Sequence, residues 1–428
     1  MVIKRVTIKN IIFFQIIFNL FIRFFISMGI PSSIVYLNDF LLLVVFILIL
    51  CSKNKVGLLF KKIGFGYFIT ILFIYLLYNI VNSLAHLVNP FHLIWGIRNY
   101  FRFFIFFIEC FFVLEGKDIE KIFNIFIISQ VINFVVSIYQ YVELGLIQDR
   151  LGGIFGTEIG SNAYTNIFFC IIVSFVLSRY FNKKISLIPV IFILGSTLII
   201  AALAEIKIFY IEFIFILIVI ILLERATPRT LIILTISILA VTISLMVLKN
   251  ILPDHFEVLM NKKDFVDYGN NAYSIDRFHA LTQLNNIIFV NNPLSKIIGE
   301  GMGSFEYSSF IFLTSNNYLK WGYLHYDWFS HSFIYLEQGI IGLIIYIMLV
   351  ISIIIFAFQK RKLLKAHKFG YLFSFTVSMC FIYIINILYN QSTRIEASYL
   401  FFSIICAIPI IIKEIQKNGI SFNYYTDF

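Results

Sequence analysis

Residues 185 to 223 read ISLIPVIFILGSTLIIAALAEIKIFYIEFIFILIVIILL, 39 residues interrupted only by Ala204-Glu205-Ile206-Lys207. As one helix this stretch would be roughly 58 Å long at about 1.5 Å per residue, about twice the hydrocarbon thickness of a bilayer. Two helices joined by a tight turn at Glu205 satisfy that limit. The division also sets the parity of everything downstream, because merging the pair would send the basic cluster from Lys360 to Lys368 to the opposite side of the membrane.

The whole chain supports a membrane reading. Of its 428 residues, 60% are hydrophobic and only 13% charged, with a mean hydropathy of +0.93; soluble domains carry about 25% charged residues. Soluble enzyme folds are excluded. A transmembrane β-barrel is excluded too, since its strands alternate over about 10 residues. Apolar runs long enough to cross lie near 11–28, 34–51, 63–83, 93–114, 122–142, 162–178, 185–202, 206–223, 230–248, 332–357, 369–389 and 397–412. The expected fold is an all-α polytopic membrane protein of about twelve spans. Helices 1 to 9 fall in 1–248, a long outer loop in 249–330, and helices 10 to 12 with a cytoplasmic tail in 331–428.

Charge fixes the sides. With the N-terminus inside, the inner segments hold 21 basic residues: Lys4, Arg5, Lys9, Lys53, Lys55, Lys61, Lys62, Lys117, Lys121, Arg179, Lys183, Lys184, Arg225, Arg229, Lys360, Arg361, Lys362, Lys365, Lys368, Lys413 and Lys417. The short outer loops hold three, Arg150, Lys207 and Arg394. Cytoplasmic loops are the basic ones, so both termini are placed in the cytoplasm. The net charge of +10 is then a topological signal and no sign of nucleic-acid binding. The run from Ile11 to about Met28 has no A-x-A-like cleavage site and reads as a retained helix, not a removed signal.

Several chemistries are absent from the pattern. There is no G-x-x-x-x-G-K-[ST] phosphate loop, no C-x-x-C pair and no Cys/His cluster of zinc spacing. No disulfide, metal site or cofactor is expected. What remains is the 82-residue stretch from Lys249 to Ser330, far longer than an ordinary connection and the natural place to look for function. His255, His279 and His325 lie in it and His331 at its edge, with Asp276, Arg277, Glu300, Lys320 and Asp327. Its last part is rich in rings, including Tyr307, Tyr318, Trp321, Tyr323, Tyr326 and Trp328. Such rings serve either as an interfacial belt or as platforms for sugar C–H faces.

Charged residues within apolar runs face a bundle interior or a wet cavity. Arg98 and Arg102 are four apart and share a helix face, with Glu109 seven further along. They either line a pocket for an anionic ligand or brace the helix through Glu109. Glu205 and Lys207 sit at the turn between helices 7 and 8, and Arg23 with Asp39 are expected to form a local ion pair.

Three patterns resemble the O-antigen ligase and polymerase family of polysaccharide assembly. Arg150-Leu151-Gly152-Gly153-Ile154-Phe155-Gly156 followed by Ser161-Asn162-Ala163 is similar to its R-x-x-G-x-F-G…N segment. Ser274-Ile275-Asp276-Arg277, Asn292-Pro293-Leu294 and Gly299-Glu300-Gly301-Met302-Gly303-Ser304-Phe305 resemble its long-loop pattern. His331-Ser332, Glu337 and Gly339-Ile340-Ile341-Gly342 resemble its entry to the following helix. Together they span Arg150 to about Tyr346, close to half the chain.

The resemblance implies a polymerase in a bacterial cytoplasmic membrane that joins polyprenyl-diphosphate-linked oligosaccharide repeat units on the outer face. A ligase uses similar chemistry, and a polysaccharide flippase would have a similar number of helices. The expected partners are the lipid-linked oligosaccharide, membrane lipids, a flippase and a chain-length regulator. Diphosphate is a good leaving group, so the protein needs chiefly to hold it and position an acceptor hydroxyl. Arg277 is the first candidate for the clamp, with Arg150, Arg98, Arg102 and Lys207 in support; arginine binds phosphate oxygens bidentately. His331 or Glu337 would accept the hydroxyl proton, although His331 at a helix start also suits a capping or belt role. Trp321 and Tyr323 are the candidates for sugar stacking. For the topology itself, a cysteine placed at Asn270 is expected to react with an impermeant maleimide from outside intact cells, and one at Lys362 only after lysis.

Overall fold

A computed structural model describes residues 5–51, 66–224, 227–261, 274–366, 368–391, 394 and 396–417. All regular structure among them is helical. Each of the twelve apolar runs carries one long helix: α1 (Arg5–Ser27), α2 (Tyr36–Cys51), α3 (Gly66–Ala85), α4 (Pro90–Val113), α5 (Gly116–Val142), α6 (Ser161–Phe181), α7 (Leu187–Leu203), α8 (Lys207–Leu223), α9 (Pro228–Ile251), α10 (Ser330–Gln359), α11 (Tyr371–Tyr389) and α12 (Glu396–Lys417). Eight of them, α1, α2, α3, α5, α6, α9, α10 and α11, are long and apolar enough to cross a bilayer. That is the build of a multi-pass membrane protein. Of the other four, α4 carries Arg98, Arg102 and Glu109, α7 and α8 have 17 residues each, and α12 contains Pro409.

The stretch 185–223 does divide. Helix α7 ends at Leu203 and α8 starts at Lys207, and the turn is closed by the Ile206 N–H donating to the Ala201 carbonyl (2.9 Å) and the Ala204 N–H to that of Ile200 (2.8 Å). Glu205 takes the left-handed position with φ of +56°, where glycine is usual because any Cβ costs about 1–2 kcal/mol.

Burial sorts the helices. The apolar windows of α6 and α11 are 83% and 78% buried, whereas that of α9 is 22% buried. Polar content follows, as it must when the surrounding solvent is hydrocarbon. Buried α6 carries Asn166, Ser174 and Ser178, while α9 shows Leu231, Ile238, Leu239 and Met246 outward.

Residues 274–329 form a packed cap of short helices, Ala280–Ile287, Pro293–Ile298 and Asn316–Trp321. Its fastening point is the glycine-rich segment 299–305. The N–H groups of Gly303 and Phe305 both donate to Glu337 Oε1 (3.0 Å each), and those of Glu300 and Gly301 to the carbonyls of Leu336 (3.0 Å) and Glu337 (2.8 Å). Asn82 and Tyr78 of α3 donate to the Ile298 carbonyl, at 2.6 and 3.0 Å. Gly339 interrupts α10 with φ of +63°, and a Cβ there would run into the Ile297 backbone. At Gly303, φ is +89° and a Cβ would strike the His92 carbonyl of α4. The spacing of glycines is therefore a packing requirement.

Lys4, Lys53, Lys55, Lys61, Lys62, Arg225 and Asn270 lie outside the described residues, as do the side chains of Lys413 and Lys417. The expected Arg23–Asp39 pair is corrected: Arg23 Nη1 lies 3.3 Å from Glu158 Oε2, and Asp39 binds Arg98. Asp39 begins α2, and the α2–α4 packing brings Arg98 closer to it than Arg23.

Gly303→Ala should lower stability by about 2–4 kcal/mol, from overpacking plus a left-handed alanine. Gly195→Ala, at an open helical position, should be neutral or stabilising by up to about 1 kcal/mol. Thermal unfolding of both variants in detergent, followed by tryptophan fluorescence, checks the contrast.

Candidate functional site

Two polar clusters meet around the first turns of α10. The first is built from four chain segments. In the segment before Ala280–Ile287, the Ile275 N–H donates to the Leu324 carbonyl (3.0 Å), and the Asp276 N–H to Gln283 Oε1 (2.7 Å). Asp276 is 2% exposed and accepts from the backbone N–H groups of Phe278 and His279 (2.8 and 3.3 Å). This capped turn projects Arg277 onto the Tyr389 ring, 3.8 Å from its centroid, and towards Phe329 at 5.4 Å. His331 stacks on the other ring of that sandwich, Phe329, at 6.0 Å.

Beside this lies the α7–α8 turn. Glu205 Oε1 accepts from Lys207 Nζ at 2.7 Å and from His255 Nδ1 at 2.7 Å. His255 Nε2 faces Gln148 Nε2 at 2.8 Å. Asn162 Nδ2 donates to Asp149 Oδ1 (2.7 Å) and to the Ala204 carbonyl (3.2 Å), which ties the 148–150 turn to the same place. Arg277 is near enough to both Lys207 and Tyr389 to act electrostatically on each, which sets the two parts side by side. Deeper down, Glu212 of α8 is fully buried and accepts from Asn386 Nδ2 (2.6 Å), Asn166 Nδ2 (2.8 Å) and the Cys170 thiol (3.2 Å).

The second cluster is an ion-pair network. Arg394 Nη2 lies 2.6 Å from Glu306 Oε1, both groups nearly buried, and its guanidinium sits 3.4 Å over the Phe333 ring. Arg102 donates to the Arg394 carbonyl and lies 4.5 Å over Tyr399. Arg98 pairs with Asp39 and packs 4.4 Å over Trp95. Burial pushes the Glu306 carboxyl upward, and the guanidinium of Arg394, with those of Arg98 and Arg102, pulls it back. Each cation in this network already has a protein acceptor.

The expected site residues thus fall in different places. Arg277, His331 and Lys207 come together. Arg98 and Arg102 belong to the second cluster, and the brace from Arg98 runs to Asp39, leaving the buried Glu109 carboxylate without a hydrogen-bond partner. Glu337 is fully buried, with one oxygen holding the glycine-rich segment. Arg150 is exposed on the 148–150 turn, next to the glutamine that reaches His255. Trp321 and Tyr323 pack together at 6.4 Å, with Lys320 over Trp321 and Tyr323 54% exposed. Sequence reasoning gave no role to Glu306, Arg394, Glu212 or His255. Glu212 alone carried a local signal, a lone acid inside an apolar run; the others acquire meaning only from partners 50 to 88 residues away.

No protein-family model and no curated protein matches the chain. The functional reading therefore rests on the residues themselves.

Removing one member of a buried pair leaves the other uncompensated, at a cost of about 3–5 kcal/mol. Glu306→Ala should destabilise by that amount. The double change Glu306→Leu with Arg394→Met should recover most of it, measured as a double-mutant cycle on thermal unfolding.

Proposed function

We propose that the chain is a glycosyl transferase of surface-polysaccharide assembly, a polymerase joining polyprenyl-diphosphate-linked oligosaccharide repeat units at the outer face of a bacterial cytoplasmic membrane. The reading takes all twelve long helices as spans, both termini as cytoplasmic, and residues 249–330 as the outer cap that carries the reaction. The observation that carries it is the state of Arg277. Among the described residues, Arg23, Arg98, Arg179 and Arg394 are each ion-paired to a carboxylate, whereas Arg277 is held by the rings of Phe329 and Tyr389 and a hydrogen bond to the Tyr389 side chain, and its Nε is buried without an acceptor. A guanidinium so placed is partly stripped of water and has no carboxylate partner among the described residues, which makes a phosphate oxygen a strong partner. Lys207 adds a second positive group beside it.

In this mechanism Arg277 binds the diphosphate and stabilises the charge that grows on the leaving oxygen. His331 holds Phe329 against that guanidinium, and Trp321 and Tyr323 offer ring faces to the glycan. No nucleotide is needed, because the diphosphate ester is already activated. A ligase would use the same clamp for a different acceptor. The reading expects a flippase and a chain-length regulator to work beside the enzyme.

The deciding experiment is the lipid-linked glycan profile of a deletion strain: single repeat units persisting without polymer are expected. Uncapped long polymer would assign a ligase instead, and repeats trapped inside the cell a flippase. Arg277→Lys should insert normally and lose about 10- to 100-fold in polymerisation rate, the equivalent of a charge-assisted bidentate contact. Wild-type turnover by Arg277→Ala would remove the clamp.

A further inference from the structure

The proposed transfer needs an acceptor for the proton of the attacking hydroxyl, and the two residues first in line are poorly built for it. Glu337 Oε1 is engaged by two backbone N–H groups beneath a packed loop. His331 is 5% exposed, its Nδ1 is buried without a hydrogen-bond partner, and among the described residues no carboxylate is paired with its ring. A better-formed proton acceptor lies at the α7–α8 turn.

His255 sits in the helix Pro253–Met260, which is fixed over the α7–α8 turn by a small separate core. Leu248, Leu252 and Ala202 are buried together there, with Phe256 and Leu259 packed against them. This seating aims the imidazole at Glu205. The backbone at Glu205 is left-handed, a strained state for a residue with a side chain, and such strain is retained where surrounding contacts demand it. Glu205 Oε1 holds both Lys207 Nζ and His255 Nδ1 at 2.7 Å.

The hydrogen bonds suit one tautomer. Gln148 Nε2, an amide donor, lies 2.8 Å from His255 Nε2, which matches an accepting Nε2, and Lys207 Nζ approaches Nδ1 at 3.3 Å beside the shorter contact to Glu205. Nδ1 then carries the hydrogen and donates it to Glu205. A neutral imidazole with Nδ1–H anchored on a carboxylate and a basic Nε2 is the arrangement of a general base. The Gln148 amide N–H occupies the position that a hydroxyl donor would take. Gln148 itself has φ of +59° in a three-residue turn, beside exposed Arg150.

We infer that His255 and Glu205 form an imidazole–carboxylate dyad that takes the proton from the acceptor hydroxyl of a sugar, with Gln148 marking the hydroxyl's place. This rests on the glycosyl-transfer reading above. The hydroxyl O–H proton passes to His255 Nε2 while an oxygen lone pair forms the new bond to the anomeric carbon. The bond from that carbon to the diphosphate oxygen breaks, and its electron pair leaves with the lipid diphosphate, facing Arg277. Glu205 stabilises the imidazolium so formed, and the proton is then lost to water. Glu205 and Lys207 from the α7–α8 turn contact the imidazole; Asp149 of the 148–150 turn and Arg277 of the 274–279 segment act on Lys207, and Asp254 and Glu257 share the helix of His255.

The test uses the purified full chain and the lipid-linked oligosaccharide fraction extracted from the deletion strain, scored by polymer formed. His255→Ala should lower kcat at least about 100-fold, the usual contribution of a general base, with KM little changed. Free imidazole should restore part of the rate, which an unfolded or merely destabilised variant would not permit. Glu205→Gln should lose about tenfold, because the ring keeps a hydrogen-bond partner but not its counter-charge. A general base requires log kcat of the wild type to rise with pH, and His255→Ala should lack that rise. Retained activity in His255→Ala, or a loss with the pH limb intact and no response to imidazole, overturns the dyad and leaves the polymerase reading standing. A wild-type protein that forms no polymer from this fraction overturns the polymerase reading itself.

Discussion

Everything outside the apolar bundle hangs on one carboxylate. Glu337 lies fully buried two turns into α10 and accepts the N–H groups of Gly303 and Phe305. An amide stripped of water and left unpaired costs about 1–3 kcal/mol, so a loop crossing a low-dielectric interior must find acceptors at each step. Glu337 supplies one for two consecutive turns of that loop. The neighbouring carbonyls of Leu336 and Glu337 are freed to accept from Glu300 and Gly301 because α10 breaks at Gly339. The acid, the kink and the glycines form one device.

From that fixed point the two clusters are laid out. Glu306 follows Phe305 directly, so the clamp that holds Phe305 also sets the carboxylate that receives Arg394. Tyr389 ends α11 and Arg394 lies in the connection that follows it, and Tyr389 carries Arg277. The Ser330 N–H donates to the Asn390 carbonyl at 3.0 Å, which closes the circuit at the start of α10. The paired cluster is thus a foundation, and the unpaired arginine stands at its edge.

The helix inventory and the split at Glu205 were legible in the sequence, because bilayer thickness limits helix length. The glycine pattern from Gly299 to Gly303 was legible as a motif, though its cause, contact with α4 and α10, was not. Ion-pair partners were not legible, because packing between helices chooses them. Arg98 and Glu109 do share a stripe, but α2 brings Asp39 to Arg98, and α1 meets the segment after Phe155 so that Arg23 reaches Glu158. Glu205 and His255 are 50 residues apart, joined by a helix seated on Leu248 and Ala202. No period in a sequence encodes such a meeting.

Chemistry at a membrane surface imposes an asymmetry on charged residues. A cation satisfied inside the protein offers nothing further to a ligand, since binding a phosphate would mean breaking an existing pair and stranding its carboxylate. Arg98 and Arg394 are in that position, however close they lie to the cap. Arg277 is not, and the stacking that holds it is indifferent to whether an anion is present, because a ring face neutralises no charge. Lys207 is the intermediate case: it is bound to Glu205, and Glu205 is shared with His255. Protonation of His255 would draw that carboxylate towards the imidazolium and loosen its hold on Lys207. Proton uptake at the imidazole and the hold on the Lys207 ammonium are coupled through a single carboxylate oxygen.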